Sequence, residues 1–318
     1  MSRKRKPTIT QTIMNQVKEN LKDIKYDKTK KQYERHAKKF VDYCRVNFNS
    51  KTYEECQKHV QDYVDYLIQK YTPSSVHTFA VAVSQGFKVS LESIDKPKRK
   101  ISEYTRGRSV DPLKATTAKK DLFDPRWSYL VEFQKRAGIR RNDLKNLCGR
   151  NLKYDESNNL CLELEKSKGK KYHLQRILPK DEELIKSYFE GVGQDEKVFK
   201  KELFNNSLNL HYYRAQHARE CYFYYLKLAR TDPQVRDQME KEIRARWAKY
   251  NIDKRTGKPK KFNEKLIEGN YHLRGDVKKL AISKGMPCKF DKLVCLYISV
   301  FFLSHWRLGV CVHSYLLV

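Results

Sequence analysis

The stretch NLKYDESNNLCLELEKSKGKKYHLQRILP, residues 151–179, decides the fold class of this chain. Leu160, Leu162 and Leu164 alternate with Cys161, Glu163 and Glu165, the period of two that a strand with one apolar face requires. The run KSKGKK (166–171) supplies a turn, and a second alternating run goes from Tyr172 to Leu178, where Pro179 ends it. The pattern predicts an antiparallel hairpin, extended to three strands by residues 151–155. The flanking sequence has helical periodicity, so the predicted fold is mainly α with a small antiparallel β-sheet.

Working outward, residues 9–95 read as a helical domain. Tyr33, Ala37, Phe40, Val41 and Cys44 recur at helical spacing, as do Val60, Val64, Leu67, Ile68 and Tyr71. TPSS (72–75) supplies a cap and first turn before Val76, Phe79, Ala80 and Val83. The 1–8 segment, with SRKRKP, is a basic arm that would touch phosphates or act as a nuclear localisation tract. Residues 96–120 are a basic linker, which with Asp95 holds two prolines and nine Lys/Arg and would lie along a nucleic-acid backbone. The second domain, 121–318, opens with a helix near Pro125 whose Trp127, Leu130, Val131 and Ala137 share a face, ending at Gly138. A second helix carries Leu144, Leu147 and Cys148. After Pro179 helices are expected to the end of the chain. Within them, about 231–290, Val235, Met239, Ile243 and Trp247 recur every four residues, an amphipathic helix followed by the basic loop DKRTGKPKKF (253–262).

Across 318 residues, 67 Lys and Arg stand against 38 Asp and Glu, a formal charge of +29. Such a chain repels itself unless a polyanion compensates, which makes nucleic acid the leading partner. The eight cysteines are scattered, with no CxxC pair or zinc spacing, which points to a reduced, intracellular protein; in a prokaryote this means the cytoplasm and nucleoid. The longest apolar run, LVCLYISVFFL (293–303), falls short of the ~20 residues of a membrane span and reads as a buried helix.

Four local motifs carry chemistry. AGIRRNDLKNL (137–147) places Arg140 after a helix-breaking Gly138 and before Asp143, and the hairpin turn presents Lys166, Lys168, Lys170 and Lys171. LHYYRAQHA (210–218) puts His211 and Arg214 three apart, on one helix face. LSHWR (303–307) gives His305, and Tyr315 follows ten residues later. Singly these are weak: an arginine at a helix start is usually solvated, a lysine-rich turn serves solubility, and Tyr315 alone would be core.

Their order, however, resembles that of the active-site motifs of the tyrosine recombinase (phage integrase) family, and most closely the integrases of bacterial mobile elements. Those carry H-x-x-R-x-x-x-A and then an ending like H-x-R-x-x-V-x-x-x-x-Y-L, which stand here as HYYRAQHA and HWRLGVCVHSYL. The resemblance covers nearly the whole chain. It implies a helical core-binding domain over 9–95 and an α+β catalytic domain over 121–318, clamping duplex DNA between them. It also implies a site-specific recombinase that cleaves and rejoins strands through a 3′-phosphotyrosyl intermediate, with Tyr315 as nucleophile. Arg140 and Arg214 would clamp the nonbridging oxygens, a task suited to the planar, permanently charged guanidinium. Lys168 would protonate the leaving 5′-oxygen, with Lys166 and Lys170 as alternatives. His211 and His305 would bond the phosphate or assist proton transfer, and Asp143 would orient the clamp. YHLRGDV (271–277) offers Arg274 as a second choice for the downstream arginine, but lacks the histidine and alanine of the 211–218 motif.

Lys98, Arg99, Lys100, Arg106 and Arg108 of the linker, with Lys166, Lys170 and Lys171, are the expected DNA contacts. The implied partners are double-stranded DNA and further copies of the chain, a tetramer on paired sites. No cofactor or metal is expected, since the chain has no G-x-x-x-x-G-K-[ST], no H-E-x-x-H and no carboxylate cluster. Family members carry a further segment after the tyrosine that docks on a neighbouring protomer, whereas three residues follow Tyr315 here. The resemblance therefore implies strand cleavage more directly than concerted exchange. Two alternatives are a decayed recombinase acting as a DNA-binding protein and a relaxing topoisomerase of the same tyrosine chemistry.

Overall fold

The computed structural model describes residues 7–98, 125–167, 171–204, 208–253 and 255–317. The chain divides into two units, Met1–Lys100 and Ile101–Val318, so the division falls within the stretch read as a linker. Of that stretch only residues 96–98 are described; the rest, and residues 1–6 of the basic arm, lie outside the described residues.

The first unit is helical: α1 (Ile9–Asn20), α2 (Asp27–Phe48), α3 (Tyr53–Lys58), α4 (Val60–Lys70) and α5 (Pro73–Phe87). Helices α1 and α3 each open with a reciprocal capping box, Thr8 with Gln11 and Thr52 with Glu55, which satisfies backbone N–H groups that the first turn leaves open. Pro73 starts α5 at a position where its missing N–H costs nothing. Ile13 and Val17 of α1, with Leu21 at its C-cap, close on Ala37, Phe40, Val41 and Cys44 of α2, and on Val76, Ala80, Val83 and Phe87 of α5. One sequence expectation is corrected. Helix α4 buries Val60, Tyr63, Val64 and Leu67, while Ile68 and Tyr71 are exposed. The aromatic Tyr63 takes the inward position, and the apolar face is narrower than the five-residue pattern implied.

The second unit is a helical body around a small sheet, as the pattern of residues 151–179 predicts. It begins with α6 (Pro125–Ala137) and α7 (Arg141–Asn146). Helix α7 stops at Asn146, so Leu147 and Cys148 follow it rather than ride on it. Then come β1 (Leu152–Tyr154), β2 (Leu160–Ser167) and β3 (Lys171–Arg176), antiparallel in the order β1-β2-β3, with Leu162 opposite both Leu152 and Gln175. A short helix α8 (Glu182–Ser187) leads to the long α9 (Leu210–Thr231) and α10 (Pro233–Tyr250). The amphipathic helix read from the 231–290 segment is α10, with Met239 and Ile243 buried.

The expectation of helices alone beyond Pro179 is corrected by a second, two-stranded sheet. Its strands are β4 (Asn270–His272) and β5 (Lys289–Asp291), with α11 (Gly275–Ser283) between them. Strands of three residues are too short to show a period. The apolar run becomes α12 (Lys292–Phe301), buried throughout from Leu293. No helix among the described residues is long and apolar enough to cross a membrane. The chain ends in α13 (Leu308–Cys311) and a π-helical turn, Val312–Leu316.

Two apolar cores fill this unit. One gathers Leu130, Phe133, Ile139, Leu144 and the β2 leucines; the other gathers α12 with Met239, Ile243 and the C-terminal turns. Helix α9 joins them, giving Leu210 and Tyr213 to the first core and Ala215, Ala218 and Cys221 to the second. Residue 214 therefore falls on the seam. A buried ionic knot ties the sheet to the second core. Arg176 of β3 contacts Asp155 and Glu242 at 2.5 Å and donates to the Tyr297 hydroxyl at 2.7 Å. Both carboxylates are present, so the buried guanidinium is compensated.

Candidate active site

Gly138 makes the first half of the site. Its φ of +56° ends α6, and a Cβ there would lie 2.3 Å from Cδ2 of the fully buried His217. Only glycine satisfies both conditions. The chain turns sharply and Arg140 stands at the N-cap of α7. Its guanidinium donates to the Ser167 hydroxyl at 2.8 Å and reaches the Ser304 carbonyl at 3.5 Å. Ser167 in turn donates to Asp143 at 3.0 Å, and Asp143 lies 3.7 Å from Arg140. Asp143 thus orients the guanidinium partly through a serine that the sequence did not single out. Strict alternation from Leu160, Leu162 and Leu164 would turn residue 166 inward. A register shift between Leu164 and Ser167 re-phases the strand, and Ser167 is buried.

The second half comes from α9. Arg214, 1% exposed, donates from Nε to the Tyr315 hydroxyl at 3.3 Å, from one terminal nitrogen to the Gly138 carbonyl, and from the other to the Leu303 carbonyl at 2.6 Å. A guanidinium has five N–H groups, so two remain for a ligand. His211, one turn earlier on the same helix, brings its ring centroid to 5.3 Å from that of Tyr315.

Tyr315 sits on the π turn, 6% exposed, with the Arg214 guanidinium carbon 5.5 Å from its ring centroid. Its segment is fastened on another side by a 2.8 Å hydrogen bond between the Tyr271 hydroxyl and His313. Tyr271 is therefore occupied there, and the alternative Arg274 is exposed at the start of α11. The His305 ring is stacked near Tyr315, centroids 5.9 Å apart and planes 22° from parallel. His305 Nδ1 accepts from the Arg307 backbone N–H at 3.3 Å, which leaves the neutral ring's proton on Nε2. That Nε2 is buried and has no hydrogen-bond partner among the described residues.

The electrostatics are those of a buried cationic cluster. Burial, and then the Arg214 charge, push the Arg140 guanidinium below its usual value. Burial, then Arg214, Arg140 and Arg307, push His305 down to about 3. Among the described residues, two arginines and the His305 Nε2–H stand against one carboxylate, Asp143. Among the described residues no group of three or more His, Cys, Asp or Glu side chains is arranged to hold a metal ion.

The structure thus brings together Arg140, Asp143, His211, Arg214, His305 and Tyr315. Lys168 and Lys170 lie outside the described residues, as do the side chains of Lys166 and Lys171. Of the linker cations, Lys98 is exposed at the end of the described part of the first unit, and Arg99, Lys100, Arg106 and Arg108 lie outside the described residues.

A pH dependence follows. His217 is also pushed down to about 3, first by burial, so two histidines are neutral in the folded chain and titrate near 6.5 when unfolded. Unfolding then takes up protons between pH 6.5 and about 3, and stability falls as pH falls through that window. Each histidine contributes a slope of up to about 1.4 kcal/mol per pH unit. Urea unfolding between pH 6.5 and 5 should show that slope reduced by about one proton in His305→Gln; an unchanged slope would contradict the neutral, buried imidazole.

No protein-family model and no curated protein sequence matches the chain. Among solved structures the chain is similar to one described as XerA recombinase, at 15% sequence identity and a TM-score of 0.23, over 66% of this chain and 83% of that one.

Proposed function

We propose that this protein is a tyrosine-type site-specific DNA recombinase, a strand transesterase that works through a phosphotyrosyl intermediate. The observation that carries the reading is the Arg214 Nε–Tyr315 hydroxyl contact at 3.3 Å, with the Arg140 guanidinium and the His305 and His211 rings gathered around it. The guanidinium held against the Tyr315 hydroxyl orients it, and the same guanidinium has two further N–H groups for the phosphate the tyrosine would attack.

The chemistry is an in-line exchange. The Tyr315 oxygen bonds to phosphorus, the bond to the 5′-oxygen breaks, and a 3′-phosphotyrosyl link forms. The phenol proton leaves through a neighbouring histidine, and the leaving 5′-oxygen takes a proton from the hairpin lysine, Lys168. A free 5′-hydroxyl reverses the step, so the strand is resealed with no net loss of bond energy. Arg140 and Arg214 stabilise the charge on the nonbridging oxygens, and the His305 Nε2–H supplies one further donor. Burial of Tyr315 and Arg214 keeps water from the intermediate. The expected partner is duplex DNA, met by several copies of the chain on paired sites.

The test is a DNA duplex with a nick placed so that the cleaved 5′-end diffuses away. Incubation with the wild-type chain and denaturation should leave a covalent protein–DNA adduct at the target site. Site-specific binding without any adduct would sink the enzymatic reading, and adducts spread over all sequences with relaxation of supercoiled DNA would point to a topoisomerase instead.

A further inference from the structure

Three successive carbonyls, those of Ala137, Gly138 and Ile139, form the turn that launches Arg140. Each is held by a side chain from a different element. Gln175 of β3 donates to Ala137, Arg214 of α9 to Gly138, and Gln134 of α6 to Ile139 at 2.7 Å. Gln134 and Gln175 are both 0% exposed. Buried amides are costly unless their groups are bonded, so two of them around one turn need a reason.

Gln175 does more than satisfy that turn. Its Oε1 accepts from the Ser304 hydroxyl at 3.0 Å. Because the Ala137 carbonyl can only accept, the amide's orientation is settled by its partners. Ser304 has a φ of +50°, a left-handed conformation that a non-glycine residue holds at a cost, and it immediately precedes His305. The Ser304 carbonyl also faces Arg140. One buried amide therefore ties together the turn before Arg140, the loop before His305, and the hairpin whose turn carries the candidate lysine acid.

We propose that Gln175 is a positioning residue that sets Arg140 and His305 in register with the hairpin; its effect on chemistry rests on the recombinase reading above. It touches no substrate. Removing it lets the turn and the loop relax separately, and a misplacement of about 1 Å in a clamp of this kind lowers a rate by about 10²-fold.

The experiment uses the full chain with Gln175→Met, which keeps the side chain's length and loses both bonds, and Ser304→Ala, a milder change that loses only the loop-side bond. Hydrogen–deuterium exchange of peptides covering 137–147 and 302–307 is read first, since it needs no catalysis. Both peptides should exchange faster in Gln175→Met, and only 302–307 in Ser304→Ala, with the first unit unchanged. Exchange equal to wild type in both peptides would overturn the proposal. Single-turnover adduct formation at saturating DNA is read second. Gln175→Met should slow it by about 10- to 100-fold with DNA affinity within about threefold, and cost under about threefold more when Arg140 is already alanine. The full loss repeated in the Arg140→Ala background would overturn action through Arg140. A wild-type chain that forms no adduct would fail the recombinase reading, while the exchange data would still decide the positioning role.

Discussion

Replacing Tyr315 with phenylalanine is expected to abolish the covalent protein–DNA adduct, a loss of at least about 10³-fold, while DNA affinity stays within about threefold. The phenylalanine keeps the ring that lies against His211, His305 and Arg214, and removes only the oxygen. Arg214 Nε loses one acceptor but keeps the Gly138 and Leu303 carbonyls through its other nitrogens. The stability cost should be about 1.5–3 kcal/mol, the range for a hydrogen bond to a charged group. Denaturing gels, equilibrium binding and urea unfolding on the same preparation separate the three quantities. An adduct retained by Tyr315→Phe would remove this tyrosine from the nucleophile's role.

Gly138→Ala should be among the most destabilising single methyl additions in the second unit. The new carbon would sit 2.3 Å from Cδ2, 2.7 Å from Cγ and 3.0 Å from Cβ of His217, whose ring is fully buried and cannot swing aside. The φ of +56° adds about 1–2 kcal/mol for a side chain in the left-handed region. Together with overpacking the loss should exceed about 3 kcal/mol. Gly191 is the control: its φ is +71°, and a Cβ there would meet nothing within 4 Å. Gly191→Ala should show the backbone cost alone. Equal losses for the two variants, measured by urea unfolding, would mean that the His217 contact is not what makes glycine necessary at 138.

Some elements were legible from the residues alone. The β2 leucines at every second position and the four-residue recurrence along α10 each state a period, and a period follows from backbone geometry without reference to the rest of the chain. The strands β4 and β5 gave no such signal, because three residues cannot display a repeat and their partners are separated by a whole helix. Ser167 was missed for a different reason. Its inward position depends on a register shift, and the shift is a property of the paired strands rather than of either one. Gln134 and Gln175 looked like ordinary polar residues, since a buried amide differs from an exposed one only in what surrounds it.

For the site itself, the sequence by itself determined the order and types of the candidate groups: Arg140, the hairpin lysines, His211 with Arg214, His305 and Tyr315. Spacing of three on one helix already placed His211 and Arg214 on one face. Only the tertiary structure decided that Arg214 meets Tyr315 across 101 residues of chain, because α9 bridges two cores and leaves position 214 at their seam. It also decided that burial, and then the nearby Arg214 charge, lowers Arg140, and that burial, and then the charges of Arg214 and Arg140, keeps His305 neutral. Those effects depend on burial and on distances between charges, and neither is a property of a residue taken in order along a chain.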